Sequence, residues 1–441
     1  MKKKPGLSLG TILTLCLTAA VVAGCVFLFG KMRDQNADVR MDAQRVLGVM
    51  GAVIQTSTEK PDSKATVSTV TVTLAPMAAP TQTAAPLPTA SPRPVNADVS
   101  QRHSFSLTVG GMLKFDSEIS DSVYQKDTKS LDYRPVVSAL SGKICADLNF
   151  LTLPQTINIA DRKYGDTLVP LEAAEAIRSL GVDMVNLSTE HVLDQGPQGA
   201  ADTVTALTGK GLVSTGVNMG GATQNRVQML NGASIALLNY TDVLTAKSKN
   251  ALKSQNGLMN GFDLETVRQD IQTVRSQGAQ CVIVCLYWGR TDAASVTAAQ
   301  KNTAHSLAEM GADIILGTRP SRVLPMEIIT TIGPNGKARD TFVAYSLGTL
   351  LSESREAYDI SGVLLHLNVT CDGQDRVRFD SAEYTPTYIW RQNVRGKTQY
   401  RVLCSEDTAP ADMNEQQKEV MGRALTRIQN TLKDSPVSQR K

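Results

Sequence analysis

The sequence predicts an α/β domain with mixed sheets, on three observations. Between residues 105 and 405, apolar runs of strand length alternate with amphipathic stretches of helix length. Four runs break into Gly-containing polar turns, at 107–113 (LTVGGML), 186–196 (NLSTEHVLDQG), 286–289 (LYWG) and 317–327 (GTRPSRVLPME), which is how α/β domains place functional groups at strand ends. After Pro325 the rhythm changes to strands joined by turns such as Asn335-Gly336 and Asp372-Gly373, so the sheet gains antiparallel members.

Taken in order, FSLTV (105–109), ADLNF (146–150), DMVNL (183–187), SIALLNY (234–240), CVIVCL (281–286) and DIIL (313–316) are strands. The clearest helices lie at 171–179, 199–208, 263–276 and 296–310, and further strands follow at 327–332, 341–345, 360–370 and 376–383. Residues 410–432 read as a polar helix outside the core, followed by a frayed tail.

Ahead of this domain, residues 9–30 are 22 positions without a charge, preceded by Lys2, Lys3 and Lys4. At roughly 1.5 Å per residue such a helix spans roughly 30 Å of hydrocarbon, enough for one crossing. The lysines stay cytoplasmic, which sends everything after Lys31 outside and makes this a single-pass cell-membrane protein with an extracytoplasmic C-terminal domain. A cleaved signal peptide is the other reading, and Val22-Ala23-Gly24-Cys25 also suits lipoprotein processing. The run continues through Val26-Phe27-Leu28-Phe29, longer than a signal peptide's apolar region, which favours the uncleaved anchor. Residues 31–55 form a juxtamembrane helix. Residues 56–100 hold seven of the 18 prolines with no aromatic residue or glycine, a composition that cannot bury a core, so they form a disordered spacer. The domains are thus 1–8, 9–30, 31–55, 56–100, 101–405 and 406–441.

A formal net charge of +3 over 441 residues gives no basic stripe for a phosphate backbone, which argues against nucleic acid as a partner. Cys145, Cys281, Cys285, Cys371 and Cys404 make no disulfide framework and no Cys-x-x-Cys pair for structural zinc. Cys281 and Cys285 share a strand face about 13 Å apart, too far to bridge, and read as core residues.

Read together, the strand-end motifs resemble the CapA-type proteins of bacterial capsule and poly-γ-glutamate synthesis, over about residues 105–388. The resemblance implies a calcineurin-type, metallophosphoesterase-like α/β/β/α sandwich, and it implies metal ligands that this chain largely lacks. The family's Gly-Asp turn is Gly110-Gly111 here. Its Asn-Leu-Glu has become Thr152-Leu153-Pro154. Its Asn-Asn-His-x-x-Asp-x-Gly is Thr189-Glu190-His191-Val192-Leu193-Asp194-Gln195-Gly196, keeping the histidine, aspartate and last glycine, with Glu190 at a ligand asparagine's place. Its His-Trp-Gly is Tyr287-Trp288-Gly289, and its Gly-x-His-Pro-His is Gly317-Thr318-Arg319-Pro320-Ser321. A last match is Tyr345-Ser346-Leu347-Gly348, followed by Thr349.

Three expected imidazoles are therefore Tyr, Arg and Ser, and a permanent cation at Arg319 repels a divalent ion. No metal or other cofactor is expected. The candidate binding residues are Glu190, His191, Asp194, Tyr287, Trp288, Arg319, Tyr345 and Ser346, with Glu190 and His191 the candidates for any catalysis. Each also has a plain structural reading: Glu190, His191 and Asp194 as strand-end polar groups and a helix cap, Tyr287 and Trp288 as core packing, and Asp147 as a solvated carboxylate. His103, His305 and His366 match no motif.

Three functions follow as expectations. One is a pseudoenzyme that binds an anionic cell-surface polymer or an assembly partner. Another is a metal-free hydrolase or transferase on anionic polymer or phosphoester substrates, with Glu190 or His191 as general base and Arg319 stabilising charge; Ser321 and Ser346 lie in no nucleophile elbow. The last is a structural domain that props its spacer above the membrane.

Overall fold

A computed structural model describes residues 102–161, 163–219, 226–255, 257–333, 336–372 and 376–440. The expected membrane helix, juxtamembrane helix and spacer lie outside the described residues, as do Asn335 and Gly373 of the two expected turns. Among the described residues no helix is long and apolar enough to cross a membrane.

Two sheets form the body. The first contains β1 (His103–Leu113), β2 (Leu148–Thr152), β3 (Met184–Asn186) and β4 (Val213–Thr215), all parallel neighbours. The second contains β5 (Arg226–Leu230), β6 (Ala233–Thr241), β7 (Cys281–Tyr287), β8 (Ile314–Thr318), β9 (Met326–Ile332) and β10 (Ala338–Ala344), in the order β9-β10-β8-β7-β6-β5. Its centre, β6-β7-β8-β10, is parallel, and its edges are antiparallel. The chain then returns to the first sheet with β11 (Thr349–Leu351), β12 (Ser361–Asp372), β13 (Arg376–Val394) and β14 (Lys397–Cys404).

Alternation along β7 shows how the layers are made. Cys281, Ile283 and Cys285 face Phe105, Leu107 and Val109 of β1 in a core between the sheets, whereas Val282, Val284 and Leu286 point the other way. That outer face is covered by α4 (Leu264–Ser276) and α5 (Ala298–Met310) through Val267, Ile271, Ala304 and Leu307. The first sheet's outer face is covered by α1 (Glu172–Ser179) and α2 (Gly196–Gly209), while α3 (Ala246–Ser254) follows β6. The result is the expected mixed α/β domain, with helices on the outer faces of its sheets because each sheet has two apolar faces and each must be covered.

The C-terminal region corrects the sequence reading. Helix α6 (Glu415–Leu432) is not outside the core: Ala424, Ile428 and Leu432 are buried, and the last two join the core between the sheets. Val420, Met421, Ala424, Leu425, Ile428 and Leu432 do form an amphipathic stripe, but the sequence does not say what that stripe packs against. Nor does the tail fray, because β15 (Ser438–Gln439) pairs with Glu383 and Tyr384 of β13. Strand β14 was also missed. Its hairpin turns at Arg395-Gly396, both left-handed with φ of 51° and 81°, but with arginine where Asn or Asp would have signalled the turn.

The tail also seals His366. Its Nδ1 lies 3.2 Å from Thr108 Oγ1 and 3.3 Å from Arg440 Nη1, and its Nε2 lies 3.1 Å from Thr385 Oγ1. Burial, then the Arg440 charge, pushes its pKa down to about 4, with Glu406 pulling against Lys143. A histidine depressed in the folded state is protonated first in the unfolded one. Its stabilising contribution is therefore whole above pH ~6.5 and declines as pH falls towards the folded value. We expect acidification from pH 7 to 5 to cost the wild type about 1–2 kcal/mol more than a His366→Gln variant. Equal losses in thermal melts at the two pH values would contradict this.

Candidate functional site

The carboxyl ends of parallel strands from both sheets bring five of the eight expected residues together. Glu190, His191 and Asp194 follow β3, Tyr287 ends β7, and Arg319 stands one residue past β8. Glu190 is the hub. Its Oε1 accepts the Tyr287 hydroxyl at 3.1 Å and its Oε2 accepts Arg319 Nη2 at 3.0 Å. The side chains of Glu190 and Arg319 are each 16 % exposed, so this ion pair is largely withdrawn from water. Arg319 also donates to the Gly289 carbonyl, while its Nε is buried without a partner among the described residues. Burial, reinforced by the Glu190 charge, holds the Tyr287 hydroxyl well above its usual pKa, so Tyr287 is a donor throughout the physiological range.

Arg319 has φ of 98°, in the left-handed region that side chains other than glycine rarely adopt. Such a conformation persists where the surroundings over-determine it. Here the bonds to Glu190 and Gly289 supply that constraint.

His191 donates from Nδ1 to Asp194 Oδ2 at 2.7 Å, and its Nε2 faces Glu190 Oε1 at 3.8 Å. Asp194 is held in turn by Thr245, by Ser248 Oγ at 3.2 Å and by little solvent, its side chain being 6 % exposed. Ser248 also donates to the Glu190 carbonyl at 2.8 Å. Thr245 caps α3, so this helix end ties the histidine motif to the second sheet. Sequence reasoning missed Thr245 and Ser248 because a Thr followed three residues later by Ser is common at any helix start. It also missed Asp242, which is open to solvent along one edge yet packed against the strand ends. That desolvation raises its carboxyl pKa, against the Gly289 amide and the Arg319 charge.

The other three expected residues sit elsewhere. Trp288 stacks on Tyr345 with ring centroids 5.9 Å apart and donates to the Tyr345 carbonyl at 3.1 Å, on the outer face of the second sheet. It also lines, with Tyr287, Gly289 and Asp242, a cavity of about 110 Å³. Tyr345 donates to Glu327 Oε1 at 2.5 Å, on the wall of a separate cavity. Ser346 is fully buried, donating to the Pro320 carbonyl and accepting from the Gly348 amide, so it braces the loop and touches no cleft. Asp147 clasps Ser106 at the opposite end of β1. Ser321 is buried, its amide on the Thr291 carbonyl.

Gly111, at the family's aspartate position, passes close under the 346–349 turn. A Cβ there would stand 2.2 Å from the Gly348 carbonyl oxygen, so the backbone leaves no room for a side chain. Thr152 is fully buried, reached by the Asn186 amide at 3.4 Å. Among the described residues no three His, Cys, Asp or Glu side chains gather where they could hold a metal ion.

Comparison with known proteins places these strand ends in a family. The model for "Bacterial capsule synthesis protein PGA_cap" matches residues 106–354, more than half of the chain and all of the strand-end motifs. The chain belongs to the PGA_cap family. Within it, the chain is 27% identical over 241 residues to the PGA biosynthesis protein CapA of Bacillus subtilis, covering 53% of this chain and 60% of that protein. To the capsule biosynthesis protein CapA of Bacillus anthracis it is 25% identical over 185 residues, or 41% and 42% of the two chains. The chain thus spans about half the length of the curated relatives it matches. Among solved structures, the Haemophilus influenzae NAD nucleotidase NadN superposes with a TM-score of 0.38 at 12% identity, covering 77% of this chain and 57% of that one, a likeness too distant to carry an argument.

Proposed function

We propose that this PGA_cap-family chain acts in capsule or cell-surface polymer synthesis or anchoring by binding a carboxylate-bearing polymer of the poly-γ-glutamate kind, without a metal. It would do so from an extracytoplasmic domain on a metallophosphoesterase-like scaffold, held to the membrane by residues 9–30, whose uncharged length and preceding lysines support that reading. The observation that carries the proposal is Glu190. Both of its oxygens are already engaged, by Arg319 and Tyr287, where a metal centre would need them free. The donor set does not fit the two-ion arrangement the family resemblance implies. Gly111 cannot carry a carboxylate, and Arg319 puts a cation at the position where the resemblance implies an imidazole.

In such a cleft the internal carboxylate of Glu190 stands in for a ligand carboxylate. An incoming γ-glutamyl carboxylate can exchange for it on the fork of Arg319, and the unpartnered Arg319 Nε offers a further donor. Glu190 gates the site through this competition. Glu190→Gln leaves the cation of Arg319 unopposed and should bind a γ-linked glutamate oligomer roughly 10-fold more tightly than wild type, whereas Arg319→Ala should lose binding. Calorimetric titration of the full-length chain in detergent is the measurement. Weaker binding by Glu190→Gln would reject the exchange.

The His191–Asp194 pair favours one alternative. Nδ1 lies on the Asp194 carboxylate and Nε2 is turned towards Glu190, the geometry a general base has in a hydrolase or transferase. Cleavage of γ-glutamyl or phosphoester substrates that disappears in His191→Ala would select this reading.

A further inference from the structure

A cavity of about 730 Å³ is walled by the start of α5, residues 322–327, the loop around Tyr358 and the face of α6. Tyr358 is 47 % exposed there. The guanidinium of Arg322 lies over its ring at 3.9 Å from the centroid, and that of Arg427 at 5.2 Å. Two cations on one ring repel each other, and neither makes an ion pair among the described residues. The nearby carboxylates that sense Arg322 are held by other groups, Asp292 by Arg290 at 2.9 Å and Asp359 by Ser354 at 3.1 Å. The Nε of Arg322 is buried without a partner, and Arg427 is fixed by its bond to the Ala357 carbonyl at 2.5 Å. Lys301, exposed on α5, adds a third cation to the wall. Glu327 is the one carboxylate lining the cavity, and it is occupied by the Tyr345 hydroxyl.

Guanidiniums held in place by an aromatic ring, with no direct ion pair among the described residues, are preorganised to receive oxyanions. We propose that this cavity is a second binding site, taking a chain of repeated carboxylates through Arg322, Arg427 and Lys301. The identity of the ligand rests on the polymer reading above; the site itself rests on the cations around Tyr358. Tyr358 and Arg427 lie beyond the residues matched by the family model, whereas Arg322 and Lys301 lie within them. Arg319 and Arg322 stand three residues apart on one segment, Arg322 lining this cavity and Arg319 paired with Glu190 at the strand ends. A polymer engaged at both sites would gain affinity through its linkage as well as through each contact.

The test uses the full-length chain in detergent, titrated with a γ-linked glutamate oligomer and with the same oligomer carrying amidated side carboxyls. An Arg322→Ala/Arg427→Ala variant should bind the acidic oligomer about 10-fold more weakly, with a shallower salt dependence, and neither protein should bind the amidated one. Because that variant removes packing around Tyr358, Lys301→Glu on the exposed helix surface provides a second probe and should weaken binding in the same direction. Unchanged affinity in both, or equal binding of the amidated oligomer, overturns the site. Sensitivity to Arg319→Ala with indifference to these variants would leave the cleft standing and remove this cavity. The opposite pattern would remove the cleft and keep the cavity.

Discussion

Arg319→Ala should destabilise the domain by about 2–4 kcal/mol, because it leaves the carboxylate of Glu190 withdrawn from water with no cation beside it. The ion pair spans 3.0 Å, and each side chain is 16 % exposed, so solvent can replace only part of what is lost. Removing both charges should cost much less than removing one. Glu190→Gln combined with Arg319→Ala is therefore expected to melt above Arg319→Ala alone, a sign opposite to additivity. The backbone supplies an independent check. Arg319 holds φ at 98°, and alanine keeps the Cβ that strains it, so Arg319→Gly should recover about 1 kcal/mol relative to Arg319→Ala. Urea unfolding followed by circular dichroism measures all four proteins. A loss below about 1 kcal/mol for Arg319→Ala would mean that the pair is effectively solvated and does not hold the strand ends together.

Gly111→Asp should fail to restore a metal site and should cost about 3 kcal/mol or more. The clash is with backbone, the Gly348 carbonyl at 2.2 Å from a Cβ, and this turn is itself fixed by the bond from the Met112 amide to Gly348 at 3.1 Å. The Cβ alone creates the conflict, so Gly111→Ala should lose nearly as much stability as Gly111→Asp. Thermal melts of both variants, with and without manganese, decide it. A stable Gly111→Asp protein whose melting temperature rises with manganese would show that the strand end can still be remade as a metal site.

Much of the scaffold was legible before any coordinates. Continuous apolar runs such as CVIVCL in β7 announce a strand buried on both faces, and the motif turns mark where each ends. What escaped were elements whose signal is tertiary. Helix α6 buries only three of its 18 residues, and that burial follows from the gap between the sheets that Ile428 and Leu432 fill. Strand β14 depends on pairing with β13 across an Arg-Gly turn.

The site divides the same way. Sequence alone determined which chemical groups stand at the strand ends: a glycine at 111, a glutamate at 190, a histidine at 191, an aspartate at 194, a tyrosine at 287 and an arginine at 319. Those identities need no coordinates. Only the tertiary structure decided which of them meet. Alternation along β7 sends Tyr287 towards Glu190 and its neighbour Trp288 to the opposite face, against Tyr345. Arg319 meets Glu190 because the ends of strands from two different sheets converge there, across 129 residues of sequence. A side chain's type is written locally, but its partner is chosen by the packing of sheets whose strands lie far apart in the chain.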